Sequence, residues 1–292
     1  MNFLEKYPMT MIVLGVVGIG LSSIFVKLSG APSAVTACWR LLWTVGLMLP
    51  VVLGKASLRA ELARAGRKQL ALSPLSGVFL AIHFVTWFES LAHTSVASST
   101  TIVCTEVIWV SLGYCLFMKG RIPGGAVAAI AVTFFGSALI ALGDSGAGGK
   151  LYGDVLALIA AVAVGIYTLI GRKVRMAAST TVYTFPVYVT SGAVLAVFCA
   201  IEGLHLFGYG LRPVIVGLLL AVFSTILGHS IFSWCLKYFS PSFVSASKLC
   251  EPVVSGILAA VLFHEIPGFW QLIGAALILA GVLAYSRLER KS

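Results

Sequence analysis

Glu106 and Glu251 each stand inside a long apolar run, about ten or eleven residues from its start. At 1.5 Å per residue that depth is close to the middle of a bilayer. A charge at such a depth costs about 2.5–3.5 kcal/mol on insertion scales, so it needs a cavity or a partner. The chemistry on offer is proton uptake, because an apolar setting favours the protonated carboxyl, or capture of a cation. The structural alternative is a carboxyl that caps the carbonyl freed by Pro252 or pairs with Lys248, three residues before Glu251. Arg40, six residues into another apolar run, can hold a carboxylate through two parallel hydrogen bonds. With Glu106 it would clamp both ends of an amino-acid zwitterion; otherwise it is a snorkelling or ion-paired arginine. His83 and Trp87 share a helix face at i and i+4, and Trp109 follows Glu106 at i+3. These rings would suit an aromatic or cationic ligand, or simply pack. His83 and His229 lie at mid-depth and are candidate proton relays or packing histidines.

These residues need helices to carry them. The 292 residues are 59% hydrophobic and 10% charged, with mean hydropathy +1.03. Soluble domains carry about 25% charged residues, so a multi-span membrane protein is indicated and an ordinary cytosolic enzyme excluded. The apolar runs predict ten transmembrane helices, at 9–28, 34–53, 74–92, 96–118, 123–142, 151–171, 180–201, 213–236, 242–263 and 267–286. The runs are continuous rather than alternating, which selects an all-α membrane protein over a barrel. With the N-terminus inside, fifteen Lys and Arg fall in inside segments and two, Lys150 and Arg212, outside. That bias predicts both termini in the cytoplasm and explains the net charge of +10 without a nucleic-acid partner. The 54–73 loop reads as a solvated basic loop, with a short interfacial helix as the alternative.

A shift of 145 residues aligns the two halves without a gap. Gly20 falls on Gly165, Lys27 on Arg172, Thr36 on Thr181, Ser95 on Ser240, Glu106 on Glu251 and Gly136 on Gly281. Each half, 1–148 and 149–292, then holds five spans. An odd number turns the second repeat upside down relative to the first. Inverted repeats of this kind are built into many secondary transporters, with the site between the halves near mid-membrane.

The chain resembles the drug/metabolite transporter superfamily, EamA type, over about 10–286. The resemblance rests on Glu251-Pro252-Val253-Val254, His264-Glu265-Ile266-Pro267 and the run from Gln271 to Gly281. Gly153-Asp154, Tyr167 with Arg172, and Arg40 also fit, and Tyr167 joins the candidate site residues on that basis. The tryptophan frequent in spans one and six is Ile19 and Val164 here, the proline usual in span four is Val107, and Gly120-Arg121 replaces a glutamate. The resemblance implies ten helices, both termini inside, and transport of small metabolites, often as export.

Other features read as structure. The six cysteines sit in apolar runs without a CxxC pair and read as small core residues. Glu89 and His93 read as a surface pair, and Asp154 as a helix-start carboxylate. Trp39 and Trp43 read as packing or interfacial rings. Gly217 with Ala221, and Gly256 with Ala260, allow close helix contact. Gly149-Lys150 lacks the spacing of a phosphate-binding loop, and no hydrolase or metal motif is present. The expectation is therefore a transporter in the cytoplasmic membrane, not an enzyme and without cofactors or metal. Its partners would be a small-molecule substrate, protons as coupling ion and lipid, as a monomer or homodimer. An amino-acid-like substrate leads, with an organic-cation carrier as the alternative.

Overall fold

In the computed structural model the described residues are 8–94, 96–143, 151–263 and 268–289, and those in regular elements are helical. In chain order the first half comprises α1 (Pro8–Gly20), α2 (Ser22–Leu28), α3 (Ser33–Gly54), α4 (Ala56–Ala63), α5 (Arg67–His93), α6 (Val96–Val103), α7 (Glu106–Met118) and α8 (Gly124–Gly143). The second half comprises α9 (Leu151–Arg175), α10 (Thr180–Ile201), α11 (Arg212–Leu219), a π-helix (Leu220–Ser230), α12 (Ile231–Cys235), α13 (Pro241–Lys248), α14 (Glu251–Phe263) and α15 (Phe269–Glu289). Among the described residues six helices are long and apolar enough to cross a membrane: Pro8–Leu28, Ser33–Gly54, Ala71–His93, Leu151–Arg175, Thr180–Ile201 and Arg212–Cys235. Glu106–Met118, Gly124–Leu139 and Leu272–Leu288 are shorter apolar helices. Their outer faces carry large bare hydrophobics such as Leu116, Phe117, Leu151 and Leu283. Water would penalise so much exposed apolar surface, whereas lipid does not.

The helix bounds follow the 145-residue shift. The starts of α6, α7 and α8 lie 145 residues before those of α13, α14 and α15, as does that of α5 before α11. The ends of α6 and α7 keep the same distance from those of α13 and α14. Both interruptions therefore sit at matching places, Cys104–Thr105 and Leu249–Cys250. The packing pairs match too. α3 lies on α10 and α8 on α15; α5 packs on α9 as α1 packs on the π-helix; α7 packs on α9 as α14 packs on α1. Gly136 and Gly281 hold the α8–α15 contact from both sides. A Cβ on Gly136 would lie 2.7 Å from the Gly274 carbonyl, and one on Gly281 2.9 Å from the Ala129 carbonyl. Gly217 likewise admits Trp39, whose Cβ would be 2.6 Å from an added methyl.

Several sequence expectations need correction or completion. The 54–73 segment contains the short helix α4, as the alternative reading expected, and no residue of it is buried. Cys38, Cys199 and Cys235 are buried core residues, but Cys115 is exposed on an apolar outer face. Trp39 and Trp43 donate their indole N–H groups to the Leu206 and Val214 carbonyls, which ties α3 to the segment leading into α11 and to α11 itself. Glu89 and His93 pair at 3.5 Å, both partly exposed. Asp154 sits in the first turn of α9 and accepts a hydrogen bond from Thr94 Oγ1 at 2.8 Å. Ser95, Gly149-Lys150 and the His264–Pro267 stretch lie outside the described residues, as do the Gly256 and Ala260 side chains.

Candidate functional site

The interruptions in the two broken helices create the site. At each break the backbone turns between a short helix and a longer one, and the longer one begins with a glutamate. A carboxylate at a helix start faces the positive end of the helix dipole, which offsets part of the cost of burying it. Glu106 opens α7 and Glu251 opens α14.

Glu106 is held from the other half on every side. Its Oε1 accepts from Thr168 Oγ1 on α9 at 3.0 Å and from Ser245 Oγ on α13 at 3.0 Å. Lys248 Nζ at the end of α13 bonds Oε1 at 2.8 Å and Oε2 at 3.2 Å. This corrects the expected Lys248–Glu251 pair. The i, i+3 argument assumed a continuous helix, but the chain turns at Leu249–Cys250, and Lys248 instead reaches across to α7. Among the described residues Glu251 is in no salt bridge.

Arg40 on α3 is fully buried. Its Nε donates to Thr225 Oγ1 at 2.7 Å, an Nη1 contact reaches Ser22 Oγ at 3.5 Å, and the guanidinium lies 4.1 Å above the Phe84 ring. Thr225 belongs to the π-helix and back-bonds to the Leu220 carbonyl, five residues earlier, at 3.2 Å. Arg40 Nη2 is buried without a hydrogen-bond partner, and so is Trp87 Nε1. Unsatisfied buried donors are uncommon and call for an explanation.

Both residues line one cavity. It has a volume of about 50 Å³ and is lined from both halves. Arg40, His83, Trp87, Glu106, His229, Lys248 and Glu251 all line it. Seven of the nine sequence candidates thus share one wall system. His83 donates its Nδ1–H to the Ala160 carbonyl at 3.1 Å and stacks on Trp87, with ring centroids 5.8 Å apart and planes 15° apart. His229 lies edge-on to His83 at 6.3 Å.

Two candidates do not line it. Trp109 is 38% exposed, and its Cβ lies beside Gly165. Trp109 shares the α9-facing side of α7 with Glu106, Gly165 and Thr168 being one turn apart on α9, but it is not among the residues lining the cavity. Tyr167 is buried behind the wall, its hydroxyl 2.9 Å from Ser233 Oγ. Sequence reasoning missed Thr168, Ser245, Ser22 and Thr225. Only Ser245 left a signal, as a hydroxyl three residues before Lys248 on one helix face. Ile19 and Val164, 145 residues apart, also line the cavity. Among the described residues no group of His, Cys, Asp and Glu is placed to hold a metal.

Comparison with known proteins agrees with this architecture. Residues 151–287 match the EamA-like transporter family. An uncharacterized transporter of Clostridium kluyveri is 24% identical over 224 residues, covering 74% of this chain and 71% of that protein. An uncharacterized transporter of Archaeoglobus fulgidus is 24% identical over 281 residues, covering 95% of this chain and 96% of that one. A solved crystal structure superposes with a TM-score of 0.80 at 15% identity over 98% of both chains, a likeness of fold. The EamA-type resemblance read from the sequence is borne out by the match over 151–287, and the relatives carry the names of transporters.

Proposed function

We propose, for a chain whose residues 151–287 match the EamA-like transporter family, that it is a secondary transporter of a small amino-acid-like metabolite, exported across the cytoplasmic membrane in exchange for protons. Ten spans in two inverted five-helix repeats, 1–148 and 149–292, with both termini cytoplasmic, give it two equivalent packings for alternating access. The common 145-residue offset of helix starts supports the repeat, and the Lys and Arg distribution supports the orientation.

One observation carries the substrate reading. One cavity is lined by Arg40 and Trp87, whose Nη2 and Nε1 are buried donors without a hydrogen-bond partner, and by Glu251, a carboxylate in no salt bridge among the described residues. Two donors suit a carboxylate and a free carboxylate suits an ammonium, so the set fits a zwitterion. Glu251 takes the role that the sequence assigned to Glu106, because Lys248 already occupies Glu106. A proton and an ammonium compete for the same Glu251 oxygens. Exchange of one for the other follows from that competition.

The test uses purified protein in proteoliposomes loaded with labelled L-phenylalanine. An imposed pH gradient, acidic on the opposite side, should drive efflux, and Glu251→Gln should abolish the pH effect. Absence of any gradient-driven amino-acid movement overturns the proposal. The His83–Trp87 stack in the wall favours a second reading, a carrier of organic cations. Arg40→Gln separates the two, since it should abolish amino-acid transport and spare cation transport.

A further inference from the structure

The groups that hold Glu106 have counterparts around Glu251. Shifting Thr168, Ser245 and Lys248 back by 145 residues gives Ser23, Thr100 and Val103, while Glu106 shifts forward to Glu251. The helices carrying these residues obey the same shift, α6 with α13 and α7 with α14. Thr100 and Val103 line the same cavity as Glu251, and Ser23 is buried on α2. One set is therefore complete: a carboxylate, two hydroxyls and an ammonium. The other keeps the carboxylate and the two hydroxyl residues but has a valine in place of the lysine.

We infer that Glu251 receives the primary ammonium group of the substrate, which takes the place there that Lys248 takes at Glu106. This rests on reading the cavity as the transport site. Val103 reaches three atoms less far than a lysine would, and Glu251, on the wall of the same cavity, is in no salt bridge among the described residues. A half-buried carboxylate with no bonded counter-ion is costly, so a ligand that brings a cation is favoured. The Lys248 pattern also defines which cation. Lys248 Nζ bonds both Glu106 oxygens, at 2.8 and 3.2 Å, which needs N–H donors and a compact head. A quaternary ammonium has no N–H and holds its charge behind methyl groups. The Glu251 end thus selects primary amines over quaternary ones.

The experiment measures binding to the intact protein in detergent by calorimetry, with three probes: L-phenylalanine, 2-phenylethylamine and N,N,N-trimethyl-2-phenylethylammonium. The primary amine should bind about tenfold or more tightly than its trimethylated form, the size of a charged hydrogen bond. Val103→Lys supplies the missing cation and should weaken both primary amines by at least about tenfold, whereas Val103→Met should not. Glu251→Gln should produce the same loss without adding a charge, so the inference stays testable if Val103→Lys fails to fold. Unchanged amine binding in Glu251→Gln, or equal affinity for the trimethyl probe, overturns the inference while amino-acid transport stands. Failure of all three probes to bind the wild-type protein overturns the transport reading and this inference with it.

Discussion

Lys248 Nζ lies 2.8 Å from Glu106 Oε1, joining a broken helix of the second half to its counterpart in the first. The pair is nearly buried and is the ion pair nearest the cavity. It neutralises one of the two glutamates that the sequence placed at equal depth.

Breaking this pair leaves a charge without a partner. Lys248→Met and Glu106→Gln should each lower stability by about 3–5 kcal/mol. The double variant, with neither charge, should recover most of that loss. Thermal unfolding of the three variants in detergent checks it. Equal loss in single and double variants would mean that the pair contributes through packing alone.

Trp87→Phe keeps an aromatic ring against His83 but removes the Nε1 donor. Affinity for L-phenylalanine should fall by about 0.5–1.5 kcal/mol, or roughly two- to tenfold. Affinity for 2-phenylethylamine, which lacks a carboxylate, should not change. Calorimetry on the two ligands separates a lost donor from a disturbed wall.

Gly136→Ala and Gly281→Ala test the α8–α15 contact from both sides. Each added methyl meets a backbone carbonyl that cannot move aside without shifting a helix. Each should cost about 1–3 kcal/mol. Similar losses for the two would agree with their matched positions; a neutral effect for either would mean the helices slide freely there.

The orientation has its own test. A reporter active only in the cytoplasm, fused after Ser292, should be active. The same reporter inserted in the 202–211 segment should be silent. The reverse pattern would overturn the reading of the basic loops.

Much of the frame was legible. The apolar run 180–201 coincides with α10, and 34–53 differs from α3 by one residue at each end. Continuous hydrophobicity marks such helices directly. The glutamates, Arg40, His83, Trp87, His229 and Lys248 share a cavity because depth along a span is readable from counting residues. What was not legible comes from the breaks. Cys104–Thr105 carries no proline, and Pro252 stands after the break at Leu249–Cys250 rather than in it. Neither break has a local signal, so Lys248 was assigned the wrong carboxylate. The partners of Glu106 and Arg40 come from far along the chain, as Thr168, Ser245 and Thr225 do, and spacing cannot reveal them.

The four charged groups around the cavity, Arg40, Lys248, Glu106 and Glu251, have formal charges that cancel. A zwitterion adds none, so in the proposed cycle membrane voltage does no work on the loaded form. A proton on Glu251 leaves one net positive charge, which the field drives with about 2.3 kcal/mol for every 100 mV if it crosses the whole membrane. The proton-bearing return, and not the substrate-bearing step, is the leg of the cycle that an energised membrane accelerates.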